Sequence, residues 1–127
     1  MVMIVNPYYE SKIYIGSIRN DHCSPSLPIR EESLIETMGQ QQEQYKIVIP
    51  LRVSLTKFVS GTTYKERGWE ISAINYPRVG ATVEEIDEFM LILGRRLLTD
   101  FFQHRVTIVN SKEIIMLTSE EDRYEDE

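Results

Sequence analysis

The segment "TVEEIDEFMLILGRRLLTDFFQH", residues 82 to 104, tells more about the architecture than any other part of the chain. At about 100° per residue its apolar side chains form one continuous stripe, which a helix buries against a sheet or another helix. The pattern predicts a long helix over about 83–104 that packs on the protein core. The stripe consists of Val83, Ile86, Met90, Leu93, Leu97 and Phe101.

The start of this helix carries its own capping signals. Thr82 followed by Glu85 is a capping box, and more acids follow in the first turns, where they complement the helix dipole. The preceding "YPRVG", residues 76 to 80, resembles an anion site because it contains Arg78 and Gly80. Since the acids already supply negative charge, we expect Arg78 to pair with one of them and Gly80 to shape a turn.

A second set of apolar side chains lies on the same helix beside the stripe and must be buried against another surface. A short helix over 31–39 in the same domain is one candidate, and a second subunit is the other. Gly94 favours the subunit, because a glycine inside a helix costs about 1 kcal/mol relative to alanine and is usually retained for close packing. The sequence therefore predicts a homo-oligomer whose interface contains Leu91, Gly94, Leu98 and Phe102.

Residues 45–55 alternate apolar and polar side chains, which indicates a strand, with Pro50 placing it at a sheet edge or a bulge. Further strands are predicted at 12–18 and 69–76, and two short ones after the long helix. The stretch "SGTTYKERG" reads as an unusually long hairpin loop, and "QQQEQ" as a polar connector. We expect a single α+β domain with an antiparallel or mixed sheet of roughly four to six strands.

Composition limits the classes of partner. The 127 residues carry a net charge of −6 with 42% hydrophobic residues, as in one ordinary domain, predicted over 1–119. The acidic run 120–127 predicts a disordered tail. A nearly neutral body argues against duplex nucleic acid, and the longest apolar run, "FMLIL", is too short for a membrane span. A single cysteine, Cys23, indicates a reducing compartment, and we expect a cytoplasmic protein.

Catalytic and metal-binding patterns are weak. The chain lacks the motifs of phosphate loops, dinucleotide sites, hydrolases and metalloproteases. "DHC", residues 21 to 23, is contiguous, whereas zinc ligands are spaced, and a Cys23 nucleophile with His104 as its base is outweighed by a bystander cysteine. We therefore expect no catalytic residue, no metal and no cofactor.

Aromatic and cationic residues gather in "TTYKERGW", residues 62 to 69, and such mixtures recur at recognition surfaces. The alternative is a solvated tip from which only Trp69 enters the core. The candidate binding residues are Tyr64, Lys65, Arg67, Arg52, Tyr76 and Arg78.

These features favour a non-enzymatic oligomeric binding protein, of an accessory or inhibitor type, that contacts a protein partner. Two alternatives stay open. One is a binder of a small anionic ligand or nucleotide with a pocket between subunits, and the other is a small enzyme without a recognisable motif.

Overall fold

A computed structural model describes residues 1–17, 27–62 and 64–119. It confirms the α+β class and the predicted order of elements in one domain. The sheet has five antiparallel strands in the order β2-β3-β1-β4-β5. The elements are β1 (Glu10–Gly16), α1 (Glu31–Gln44), β2 (Arg52–Ser60), β3 (Tyr64–Ile74), α2 (Val83–Asp100), β4 (Arg105–Asn110) and β5 (Ile114–Thr118).

The strands divide their side chains between two different faces. Ile13 pairs in register with Ile71 on β3 and with Ile108 on β4, and all three are buried on the face that α2 covers. Because side chains alternate along a strand, the neighbouring residues point to the opposite face. We call this the open face; it carries Lys12, Tyr14, Phe58, Glu66, Glu70 and Thr107.

Helix α2 begins as predicted and ends earlier. The Thr82 hydroxyl accepts a hydrogen bond from the Glu85 backbone N–H at 3.1 Å, and the Thr82 N–H donates to the Glu85 carboxylate at 2.9 Å. The capping box is therefore confirmed. The predicted end near 104 is wrong, because the helix stops at Asp100 and Phe102 takes a positive φ of 51°. His104 is consequently exposed instead of lying on the core stripe.

Helix α1 extends to Gln44, so the predicted end at 39 and the polar connector are both wrong. Gly39 does not stop the helix; a Cβ at this position would meet no atom within 4 Å. Gln41 is buried, and the Gln42 side-chain amide donates to the Ile49 carbonyl at 2.9 Å. The glutamines thus continue the helix and attach it to the chain that follows.

The second strand is displaced from its predicted position. Residues 45–51 form an unpaired connector, bent at 45–47, whose apolar side chains pack on the core, and pairing begins only at Arg52. Pro50 therefore precedes the edge strand instead of interrupting it. The long hairpin loop is also wrong: β2 ends at Ser60 and β3 begins at Tyr64, so most of the predicted loop is paired strand.

The structure gives Gly94 a role inside the domain. A Cβ at Gly94 would lie 3.0 Å from Ile108 Cδ1 and 3.3 Å from Leu117 Cδ1, so the glycine lets α2 approach β4 and β5. Its interpretation as a contact for another subunit is corrected accordingly. Leu91 and Leu98 are partly buried against the same core, whereas Phe102 is exposed.

Candidate functional site

A pocket of about 390 Å³ opens on the open face, where β1 ends and the chain leaves α2 for β4. It combines aromatic, charged and glycine residues from four strands and the segment after α2. We call it the open-face pocket; its lining residues are Tyr14, Ile15, Gly16, Phe58, Glu66, Gln103, His104, Arg105 and Thr107.

Two aromatic rings form one wall of the open-face pocket. Tyr14 and Phe58 meet edge to face, with ring centroids 5.8 Å apart and planes at 77°. Gly68 makes room for them: a Cβ there would lie 2.7 Å from the Phe58 ring and 2.5 Å from the Ile15 carbonyl oxygen. The glycine thus allows an aromatic ring to lie against the strand backbone and to offer an apolar surface to a ligand.

The floor of the pocket is held by a buried amide. Gln103 is 4% exposed; its side-chain oxygen accepts from the Gly16 N–H at 3.0 Å and its side-chain nitrogen donates to the Phe101 carbonyl at 3.0 Å. These bonds fix the segment after α2 to the end of β1. A Cβ on Gly16 would lie 3.0 Å from Glu66 Oε2, so the Glu66 carboxylate sits against this backbone.

The charges around the pocket have both signs. Glu66, His104 and Arg105 are exposed at its rim. Along the open face, Lys12 forms an ion pair with Glu70 at 3.3 Å. Burial, followed by the Glu70 charge, raises the pKa of Tyr14, so its hydroxyl is neutral at physiological pH. The pocket can therefore offer a carboxylate, a neutral phenol and an aromatic wall to one ligand.

The predicted binding residues lie in separate places. Arg52 is on β2, where it donates to the Ser72 hydroxyl at 3.2 Å and pairs with Glu10 at 3.4 Å. Lys65 and Arg67 belong to β3 and are exposed near the hairpin end, with Tyr64 at the start of that strand.

Tyr76 and Arg78 line a different cavity, of about 680 Å³, which also contains Pro50 and the N-terminal residues Val2 and Ile4. Arg78 forms no ion pair with a carboxylate in the described part of the chain, so its predicted pairing with the helix acids is wrong. Within one chain these candidate residues thus lie in separate regions, and their role in binding stays a prediction.

The described residues show neither a metal-binding cluster nor a helix that could span a membrane. Within the ranges that the structure covers, no three or more His, Cys, Asp or Glu side chains converge on a possible metal position. The "DHC" motif lies outside the described residues, so the interpretation of Cys23 as a bystander stays a prediction. Among the described helices, none combines the length and the apolar composition needed to cross a bilayer.

Sequence reasoning missed Phe58, Glu66 and Gln103. Gly68 was the available signal, because a glycine within a strand often marks a close approach to the backbone. Assigning residues 60–68 to a loop hid that signal.

Comparison with known structures supports the α+β fold. No family model and no curated protein sequence matches the chain. Among solved structures, a phage SAM lyase in the apo state has a TM-score of 0.74 and 16% identity, over 94% of this chain and 97% of that one. A phage SAM lyase in complex with S-methyl-5'-thioadenosine has a TM-score of 0.64 and 17% identity, over 94% and 96%.

Similarity at this level of identity shows the fold. It overturns the expectation of a non-enzymatic binding protein that acts through a protein partner, because the solved proteins that share the whole fold are enzymes. Sequence reasoning reached the other conclusion from the missing motifs, and a fold can host chemistry without any of the familiar short patterns.

Proposed function

We propose that this protein is a lyase that binds S-adenosylmethionine, the sulfonium nucleoside abbreviated SAM, in the open-face pocket. The observation that carries the proposal is the joining of an aromatic wall, Tyr14 and Phe58, to the carboxylate of Glu66 in one cavity. The shared fold supports it, since one of the similar structures holds S-methyl-5'-thioadenosine, which is SAM without its four-carbon amino acid part.

The parts of the substrate match the parts of the pocket. Adenine is planar and apolar on its faces, and stacking on an aromatic side chain contributes roughly 1–3 kcal/mol. The sulfonium is a cation, which the Glu66 carboxylate attracts. Arg105 at the rim suits the substrate carboxylate. S-methyl-5'-thioadenosine lacks the positive charge, so Glu66 distinguishes substrate from product.

The reaction balances without water or a cofactor. The bond between sulfur and the γ-carbon breaks, and its electron pair returns to sulfur to give neutral S-methyl-5'-thioadenosine. The four-carbon fragment is completed either by its own carboxylate oxygen bonding to that carbon or by transfer of a proton from the adjacent carbon to a base, for which the pocket supplies the Glu66 carboxylate. Because positive charge disperses in the transition state, an apolar wall favours the reaction, whereas Glu66 contributes to substrate binding.

A second copy of the chain would supply the cover that the pocket lacks. Sites for small ligands commonly bury about 70–90% of the ligand, and this pocket is open on one side. Support for a homo-oligomer comes from exposed apolar residues on the same face, Ile114 and Met116, and from the exposed N-terminal run 1–5. Sedimentation velocity of the wild type and of Met116→Glu tests it; a wild-type monomer at micromolar concentration would reject it.

The test of the activity is incubation with SAM, followed by chromatography and mass spectrometry of the products. We expect S-methyl-5'-thioadenosine together with a four-carbon product, whose mass distinguishes ring closure and proton loss from hydrolysis. Glu66→Gln should raise KM about tenfold or more, as expected for losing a charged contact, and Phe58→Ala should weaken binding of both substrate and product. Glu36→Gln, on an exposed helix position, is the matched control.

Absence of turnover with purified, folded protein would reject the lyase. In that case a thermal shift with both SAM and S-methyl-5'-thioadenosine would identify a binder without chemistry, and the lack of any shift would reject the open-face pocket as their site.

A further inference from the structure

A further cavity, separate from the open-face pocket, lies between α2 and the half of the sheet formed by β1, β4 and β5. Its volume is about 260 Å³, and Leu91, Ile108 and Ile115 give it an apolar lining. We call it the α2–β5 cavity. It lies on the helix-facing side of the sheet, so a ligand there would not compete with one on the open face.

Carboxylates surround this cavity: Asp87 and Glu88 from α2, and Glu113 from the turn before β5. Asp87 is occupied, because it accepts from the Tyr9 hydroxyl and pairs with Lys112, both at 2.5 Å. Glu88 accepts from the Tyr45 hydroxyl through one oxygen only.

Glu113 is exposed, and its carboxylate has no hydrogen-bonding or ion-pair partner among the described residues. Lys112 is paired with Asp87, so the Glu88 and Glu113 carboxylates leave negative charge at the rim that a cationic group would neutralise.

An unsatisfied hydroxyl lies in the lining of the same cavity. Ser11 is fully buried, and its Oγ has no hydrogen-bond partner within the described structure. Ser11 is on the helix-facing side of β1, opposite Asn110 of β4, and both line the cavity. A buried hydroxyl without a partner is costly, so this position favours a ligand that supplies one.

We propose that the α2–β5 cavity binds a short primary alkylammonium with a hydrogen-bonding group at its far end, as in an amino alcohol. The ammonium binds at the Glu88 and Glu113 rim, the chain contacts the apolar lining, and the far hydroxyl pairs with Ser11. A metal ion fits less well, since the carboxylates in the described chain do not converge on one point.

The experiment is a titration of the full chain followed by amide chemical shifts, with three probes: 4-aminobutan-1-ol, butylamine and butan-1-ol. The amino alcohol should bind most tightly, because butylamine lacks the partner for Ser11 and butanol lacks the charge. Shifts should concentrate on residues of α2, β4 and β5 around the cavity. SAM titrated in parallel should shift open-face residues instead, so this test stands apart from the proposed lyase activity.

Two variants separate the contributions of the charge and of the hydroxyl. Ser11→Ala should abolish the ~3- to 10-fold advantage of the amino alcohol over butylamine, and it removes an unsatisfied group, so folding should be retained. Glu113→Gln should weaken both amines up to about fivefold without affecting butanol. Glu36→Gln, on an exposed site of α1, should change nothing.

Three results would overturn the site: no shifts at the cavity with any probe, equal binding of butanol and the amines, or an unchanged ratio of the two amines in Ser11→Ala. Equal binding would identify an apolar void that takes up any short chain.

Discussion

The two faces of the sheet are built by alternate residues of the same strands, yet they differ in almost every property. On the helix-facing side, Ile13, Ile71 and Ile108 are fully buried or nearly so beneath α2. On the open face, the neighbours Lys12 and Tyr14 remain partly accessible, beside charged and aromatic residues. The difference shows that one set of strands can bury a hydrophobic core on one face and keep polar and aromatic side chains accessible on the other.

The largest effect is expected from the helix-facing side. Leu93→Ala removes a side chain of α2 that is fully buried, and the free energy of unfolding should fall by about 2–5 kcal/mol. Urea denaturation monitored by circular dichroism measures it. Leu55→Ala is the control on the same face, because Leu55 is 59% exposed on the edge strand and should change stability by less than about 0.5 kcal/mol. Equal losses of unfolding free energy in the two variants would mean that burial does not decide how much each leucine contributes to stability.

Gly68→Ala tests whether the open face tolerates a side chain at its closest contact. The added Cβ would meet the Ile15 carbonyl and the Phe58 ring, so we expect a loss of about 1–3 kcal/mol together with weaker binding of SAM. Thermal unfolding with and without SAM gives both quantities.

Gly39→Ala is a control in which the change in stability should have the opposite sign to that of Gly68→Ala. Its Cβ would meet nothing within 4 Å in the middle of α1, and alanine should raise stability by up to about 1 kcal/mol. A stable Gly68→Ala variant would show that both the Ile15 carbonyl and the Phe58 ring can move away from the added Cβ.

Thr82→Ala tests whether the two faces are energetically independent, since the substitution affects only the start of α2. Loss of the capping box should lower stability by about 1 kcal/mol, with SAM binding in the open-face pocket unchanged. Denaturant midpoints and a binding isotherm measure the two effects. If the ligand affinity fell as well, the faces would be energetically coupled through α2.

The smallest effect is a dependence on alkaline pH. Burial, the hydrogen bond to Glu88 and the charges of Glu88 and Glu85 raise the pKa of Tyr45 from 10.0 to about 12. Because the folded state favours the protonated hydroxyl, this contribution to stability is present below pH 10 and is lost between pH 10 and 12.

Tyr45→Phe keeps the ring beside Phe89 and should flatten the stability profile in that window. Denaturant unfolding from pH 8 to 12 checks it, with Tyr76→Phe, at an exposed tyrosine, as the control. Parallel slopes for Tyr45→Phe and wild type would exclude Tyr45 as the source.

Local sequence patterns predicted which helices and strands form better than they predicted where these begin and end. Alternation over 45–55 predicted a strand, but pairing begins only at Arg52, because alternation does not reveal whether a partner strand is present. Residues 45–51 use the same alternation to pack Tyr45, Ile47 and Ile49 on the core without pairing. Similarly, Gly39 looked like a helix stop, whereas the glutamines beyond it find partners across the fold.

The candidate site could not be predicted from the sequence, because its residues are distant from one another in the chain. Gly16, Phe58, Glu66 and Gln103 meet only when β1, β2, β3 and the segment after α2 come together, and none of them belongs to a short motif. Lys65 and Arg67, which are close in sequence, were predicted as part of a recognition surface; both lie on β3, and neither lines the open-face pocket.

By itself, the sequence determined the apolar stripe and the cap of α2, the order of helices and strands, and the α+β class, because these depend on interactions within a few residues. Only the tertiary structure decided that Gly94 admits β4 and β5, that Gly68 admits Phe58, and which face stays open. The physical reason is that a glycine or an alternating strand specifies what can approach it, while the identity of the neighbour depends on the register and packing of the whole sheet.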